Sequence, residues 1–168
     1  NKPKDYECSH QATHHFSVFD LFDDILLNRG IQCVGRLDQD TTGLLLLTDD
    51  GQFLQALTHP KKHVPKVYCM QTADPVTDEQ VGQLEIGVEL RNESGIFAAT
   101  DVQRLDSHQL QFTVHQGVYH QVKRMVAAVG NKVETLHRKQ IGSLDLSNLA
   151  DLPEGKWIYL DEAQIQAV

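Results

Sequence analysis

Long apolar runs are missing from this sequence. The longest, Leu44–Leu47, is four residues, whereas a helix crossing a bilayer needs about 20, so no contact with a membrane is expected. No charged-then-apolar leader opens the chain. It starts at Asn1 rather than at methionine, as expected where an upstream segment has been removed. Cysteine is scarce: Cys8, Cys33 and Cys69 form an odd set without a C-x-x-C pair. That excludes a disulfide framework or a zinc ribbon and predicts reduced thiols in a cytoplasmic protein. Neither a glycine-rich phosphate loop nor a serine elbow is present, which removes the nucleotide triphosphatases and serine hydrolases that those motifs serve. His59 and His63 are four apart, but Pro60 lies between them and Pro65 follows. No helix can present both as ligands, "HPKKH" lacks the acid of a zincin motif, and no metal is expected.

Positive charge is also short, with 15 Lys and Arg against 23 Asp and Glu, a net charge of −8. Its distribution matters more than its sum. Residues 59–69 carry Lys61, Lys62 and Lys66 and no acid, a net +3. Residues 115–139 carry Lys123, Arg124, Lys132, Arg138 and Lys139 against Glu134 alone, a net +4, which leaves the remainder at −15. Two basic islands in an acidic body fit a localised anion-binding cleft; they fit equally a pair of solvated faces.

What is present is an ordinary globular composition, 40% hydrophobic and 23% charged over 168 residues. That length suits one continuous domain with two lobes at most, burying roughly 70% of its unfolded surface. "SVFDLFDDILL" (17–27) spaces Val18, Leu21, Phe22, Ile25 and Leu26 as a helix capped by Ser17. Residues 43–48 read as one short buried strand, and Asp49 or Asp50 then caps a helix running to Pro60. "KVYCMQT" (66–72) reads as a strand. Thr77 with Gln80 forms a capping box that opens a helix. Segments 96–105 and 109–115 flank "DSH" as a β-hairpin, and 119–130 spaces Val122, Met125, Val126 and Val129 on one helical face stopped by Gly130. Strands are expected near 132–141 and at 156–160, which together give an α+β protein.

Chemistry is sought first in "GRLDQDTTGLLLL" (35–47), where charges stand immediately before an apolar strand. At the mouth of a central strand a carboxylate can be held in a partly dry cleft, which makes Asp38 a catalytic candidate. Equally, Asp38 or Asp40 can hydrogen-bond the amides of a turn. Arg36 can contact phosphate, or pair with Asp40. Tyr68 is a strand tyrosine with a flat ring and a polar tip, suited to core packing or to a base.

Three motifs in order narrow these alternatives. "GRLDQDTTGLLLLTDDG", then "KVY", then "GVYHQVKRMVAAVGNKVETLHR" resemble the motifs of the pseudouridine synthases that modify ribosomal RNA. The resemblance runs over essentially the whole chain, 1–168, as one catalytic domain, ahead of which the family's members carry a small RNA-binding domain. One departure is at the start, where the family often reads N-K-P-x-G and Asp5 stands here in place of glycine. The wording around Tyr119 and His120 is similar to the family's small-subunit branch; relatives acting on large-subunit RNA usually carry Asn-Arg there.

The resemblance implies an α+β pseudouridine synthase fold: a mostly antiparallel, bent mixed sheet with flanking helices and a central active-site cleft. It implies isomerisation of one uridine of 16S rRNA, position 516 in customary rRNA numbering, by a monomer acting on that RNA or on a small-subunit assembly intermediate. The alternatives are a synthase acting on 23S rRNA and an RNA-binding module without activity. Carried over residue by residue, Asp38 is the catalytic acid, Tyr68 the active-site tyrosine, and Lys123 the cation partnering the acid, with Arg124 its rival. Arg36, Lys61, Lys62, Lys66, His120, Gln121, Arg124 and Arg138 are expected to hold RNA. The reaction breaks an N-glycosidic bond, turns the uracil and rejoins it through carbon. It needs no redox step, phosphoryl transfer or external nucleophile, hence no cofactor. One ionised carboxylate can serve as nucleophile, a nearby cation keeps it charged, and the base must first be flipped out at an energy of a few kcal/mol.

Overall fold

A computed structural model describes residues 1–168, which divide into two compact units: Asn1–Val64 with Lys139–Val168, and Pro65–Arg138. The first unit begins with β1 (Tyr6–Glu7), β2 (Phe16–Ser17), α1 (Asp24–Asn28), β3 (Gln32–Val34), β4 (Thr41–Gly43), β5 (Leu46–Thr48) and α2 (Gly51–Thr58). The second holds β6 (Lys66–Thr72), α3 (Asp78–Ile86), β7 (Thr100–Asp106), β8 (Gln109–Val114) and α4 (Gln121–Ala128). Strand β9 (Val133–Ile141) carries the chain back into the first unit, which ends with β10 (Leu144–Asp145) and α5 (Glu162–Gln166).

In the second unit β8 pairs antiparallel with β6 on one side and β7 on the other. The β6–β8 register sets Lys66, Tyr68 and Met70 opposite Val114, Phe112 and Leu110. Because side chains alternate along a strand, this puts Tyr68 on the face where Phe112, Leu110 and Val114 are fully buried. Helix α4 packs there through Val122, Met125 and Val126, which its 3.6-residue period brings to one side. The capping box at Thr77 forms as expected, with Thr77 Oγ1 accepting from Gln80 N and Gln80 Oε1 accepting from Thr77 N.

The first unit departs from the sequence expectations in three places. The helix expected over 17–27 is broken: a 3-10 turn at Val18–Leu21, capped by Ser17, ends where Phe22 turns extended, and Asp23 caps α1 afresh. Only Ser17, Val18, Phe19 and Leu26 of this stretch are buried, and Ile25 is exposed. Two successive N-caps, the Ser17 hydroxyl and the Asp23 carboxylate, divide the segment more effectively than its apolar spacing holds it together. The strand expected over 43–48 is two strands. Strand β4 pairs with β9 and β5 with β3. The four leucines then serve two cores, Leu44 and Leu46 one cluster and Leu45 and Leu47 another. Residues 156–160 form no strand. Lys156 O accepts from the Asn1 amino group (3.1 Å) and Gly155 N donates to Asn1 O (2.8 Å), so this extended stretch is tied to the chain's first residue and has no ladder. In the second unit the first hairpin strand starts at Thr100, because Phe97 forms an isolated bridge with Val88 instead.

Candidate active site

Asp38 occupies a turn closed by a bond from Thr41 N to Asp38 O (3.0 Å) and anchored by the buried Leu37. What holds the turn is a lysine. Lys2 is 3% exposed, and its Nζ donates to Thr41 O (2.7 Å), Pro3 O (2.9 Å) and Gln39 O (3.3 Å). Lys2 N and O also bridge Gly43 at 2.7 and 3.1 Å, and Asp5 N donates to Gln39 O at 2.7 Å. Burial lowers the Lys2 ammonium below its ordinary value; Cys8, Asp40, Asp38 and Asp5 push back against that. A buried ammonium is tolerable where all three protons reach carbonyl oxygens and carboxylates lie close by. Asp5 adopts φ 70, a left-handed turn that glycine enters freely and aspartate at modest cost. The departure from N-K-P-x-G is therefore absorbed without changing the turn.

Asp38 itself is half-buried, while Arg36 and Asp40 are exposed. Leu37 N donates to Cys8 Sγ (3.4 Å), which ties the same turn to β1's neighbour. Arg36 lines a cavity of about 410 Å³ with Cys8, His10, Phe19, Gln32 and Cys33. Hydrogen bonding with Cys8 and burial both push the Cys33 thiol up, so it stays protonated and is no nucleophile. Lys61 and Lys62 lie exposed just beyond α2.

The second unit holds Tyr68, half-buried on β6, and Lys123, half-buried on α4. Of the residues expected to hold RNA, two are buried and a third is half-buried. Gln121 is 5% exposed; its Oε1 accepts from Val118 N (3.3 Å) and its Nε2 donates to Gln116 Oε1 (3.3 Å). Arg138 is 3% exposed. Lys66 is half-buried, its ammonium lowered by burial and then by the Arg138 charge. Arg124, the rival to Lys123, donates to Tyr119 O (2.9 Å), Arg91 O and Glu93 Oε1 (3.3 Å). Its guanidinium is engaged in bracing the entry to α4. His120 stands just before α4 in a left-handed conformation.

The family model described as RNA pseudouridylate synthase matches residues 1–128, a span holding Asp38, Tyr68 and Lys123 together. The chain belongs to the RNA pseudouridylate synthases. A relative from Vibrio vulnificus, "Ribosomal small subunit pseudouridine synthase A", is 40% identical over 99% of this chain and 71% of its own length. A relative of the same name from Escherichia coli K12 is 40% identical over the whole chain and 71% of its own length. Among solved structures, one titled "Crystal structure of pseudouridylate synthase" aligns over 99% of this chain and 70% of its own, at TM-score 0.89 and 40% identity. A chain of the archaeal box H/ACA sRNP Nop10–Cbf5 complex shares the fold alone, at TM-score 0.50 and 17% identity over 76% of this chain and 42% of its own. The α+β pseudouridine synthase fold, with its mixed sheet, is thereby that of this chain.

Sequence reasoning overlooked Lys2 and Glu93. The only local sign of Lys2 is its place in the opening "NKP"; its acceptors lie up to 39 residues away. Glu93 gave no local signal at all, since its partner Arg124 is 31 residues further on.

Proposed function

We propose that this synthase converts a uridine of the small-subunit 16S rRNA to pseudouridine, at position 516 in customary numbering, acting in the cytoplasm as a monomer on that RNA or an assembly intermediate. The observation that carries the reading is the Asp38 turn, a carboxylate fixed at its backbone by a buried ammonium rather than left on a mobile loop. Preorganisation of this kind is what a nucleophile needs. The name shared by the 40%-identical relatives supports the substrate.

In this reading Asp38 attacks as the nucleophile while the glycosidic C–N bond breaks. The uracil turns and its carbon joins the sugar while the bond to Asp38 breaks and frees the carboxylate again; that carbon loses its proton and the freed nitrogen gains one. Lys123 supplies the positive charge that keeps the acid ionised. Tyr68 offers its ring to the base and its hydroxyl to the proton transfer. Arg36 and the exposed Lys61 and Lys62 hold phosphate, and Arg36 fills the space the flipped nucleotide vacates.

Two measurements test this. Pseudouridine maps of rRNA from cells with and without the gene should differ at one 16S position; a changed site in 23S rRNA, or an unchanged map, overturns the substrate assignment. Purified Asp38→Asn keeps size and most hydrogen bonds but loses the charge, so turnover should fall below detection with the circular dichroism spectrum unchanged. Near-normal turnover would remove Asp38 from its role.

A further inference from the structure

The entry to α4 carries an arrangement that the fold does not need. Tyr119 is 73% exposed, and its ring lies parallel to that of His120, with centroids 3.8 Å apart and planes 18° apart. Consecutive side chains do not normally meet in this way. In a strand they point to opposite faces, and in a helix they diverge around the axis. His120 brings the rings together by adopting φ 49 and ψ 35, a left-handed conformation unfavourable for a residue with a Cβ. Backbone strain of this kind persists only where the surroundings enforce it, and it concentrates at functional sites.

The surroundings do enforce it. Arg124 Nη1 donates to Tyr119 O at 2.9 Å, and the same guanidinium is held by Arg91 O and by Glu93 at 3.3 Å. From the other side Gln121 N donates to Val118 O (3.2 Å), and Val118 N donates to Gln121 Oε1 (3.3 Å). A turn pinned by four residues thus presents a flat ring to solvent, backed by a second ring. No hydrophobic cluster includes Tyr119, so core packing does not account for it.

We propose that Tyr119, backed by His120, is a stacking platform for an unpaired RNA base next to the target uridine. The proposal rests on the function proposed above, because it places an RNA substrate at the helix that carries Lys123. Bases are recognised in single-stranded RNA by stacking on aromatic rings. A ring already immobilised by its neighbours loses little side-chain freedom when a base settles on it. Tyr119 is a positioning residue in this scheme: it fixes the strand so that the adjacent uridine can leave the stack, and it touches no reacting atom.

The test uses the whole protein and a 16S-derived RNA hairpin containing the target uridine. A companion set of hairpins carries one abasic nucleotide at each of the positions flanking that uridine. Removing one stacked base or its platform weakens binding by about 5- to 150-fold. Tyr119→Ala and Tyr119→Leu should each raise the Kd for the intact hairpin by that factor, and Tyr119→Phe should match the wild type. Single-turnover rates at saturating RNA should stay within about twofold, so that the loss falls on KM rather than kcat. The wild type should show the same loss on one abasic hairpin, and on that hairpin the Ala and Leu variants should bind no more weakly than the wild type. Tyr119→Leu binding like the wild type would overturn the proposal, as would an equal loss on every hairpin. A wild-type enzyme that leaves the intact hairpin unmodified would overturn the proposed function instead.

Discussion

Replacing Lys2 by methionine keeps an unbranched side chain one atom shorter and removes its charge and all three donors. Pro3 O, Gln39 O and Thr41 O would then face a thioether. A buried acceptor stripped of its partner costs about 1–3 kcal/mol, and three together would cost at least about 3. Against this stands the relief of no longer burying an ammonium at 3% exposure, a penalty reflected in its lowered protonation. Removing one side of a buried ionic arrangement still destabilises by about 3–5 kcal/mol in comparable settings. We expect a net loss of about 3 kcal/mol, a large share of the ~5–15 kcal/mol that stabilises a domain. In urea unfolding, with a slope of about 1–3 kcal/mol/M, the midpoint should fall by roughly 1–3 M. Activity should fall further than stability accounts for. With Gln39 O and Thr41 O released, the Asp38 turn loses its fixed position, and a displacement of about 1 Å can reduce turnover roughly 100-fold. Lys4→Met, at an exposed neighbouring position, is the control and should change neither quantity. The native ammonium titrates below its value of 10.5 in the unfolded chain, so over that interval the unfolded state binds more protons. Wild-type stability therefore gains a rising contribution from Lys2 with pH in the alkaline range, and the methionine variant lacks it. A Lys2→Met midpoint within about 0.5 M of the wild type, together with full turnover, would show that these hydrogen bonds do not hold the turn.

Asp145 supplies an acid-side counterpart. Burial pushes its carboxyl up, but the Ser147 hydroxyl and backbone N–H at 2.7 and 2.9 Å, with Lys139 at 3.7 Å, outweigh it and hold the group below 3.8. Its contribution is therefore present above pH ~4 and lost as pH falls through the native value, so Asp145→Asn should flatten the acid limb of a urea-midpoint-versus-pH curve. An acid limb equal to the wild type's would refute that assignment. Gly142→Ala should lower stability by about 1–3 kcal/mol in thermal unfolding, because the new Cβ would lie 2.8 Å from Ala167 O and 2.9 Å from Val168 Cα. Gly130→Ala, at φ +88 with nothing within 4 Å, should cost only the backbone strain of about 1 kcal/mol; equal losses at both positions would show that contact with the chain's last residues contributes nothing.

Elements governed by neighbours a few positions away were legible in the sequence. The strand at Lys66–Thr72, the capping box at Thr77 and Gln80, the hairpin around Ser107 and the apolar face of α4 depend on spacings of two to five residues. The order of three motifs was equally a property of sequence, and it brought the family and Asp38 into view. Tertiary structure decided the rest. Four consecutive leucines look like one strand until two different cores claim alternate members. The stretch 156–160 has strand composition, yet its backbone is bonded to Asn1 and Pro153 rather than to a neighbouring strand and so builds no ladder. Above all, whether a charged or polar residue braces the fold depends on partners far along the chain. Lys2 serves Thr41, Arg124 serves Glu93, and Gln121 and Arg138 are buried. Local spacing can show that such a residue is charged or polar, but the energy of burying it depends on acceptors and carboxylates that only the folded chain brings within reach.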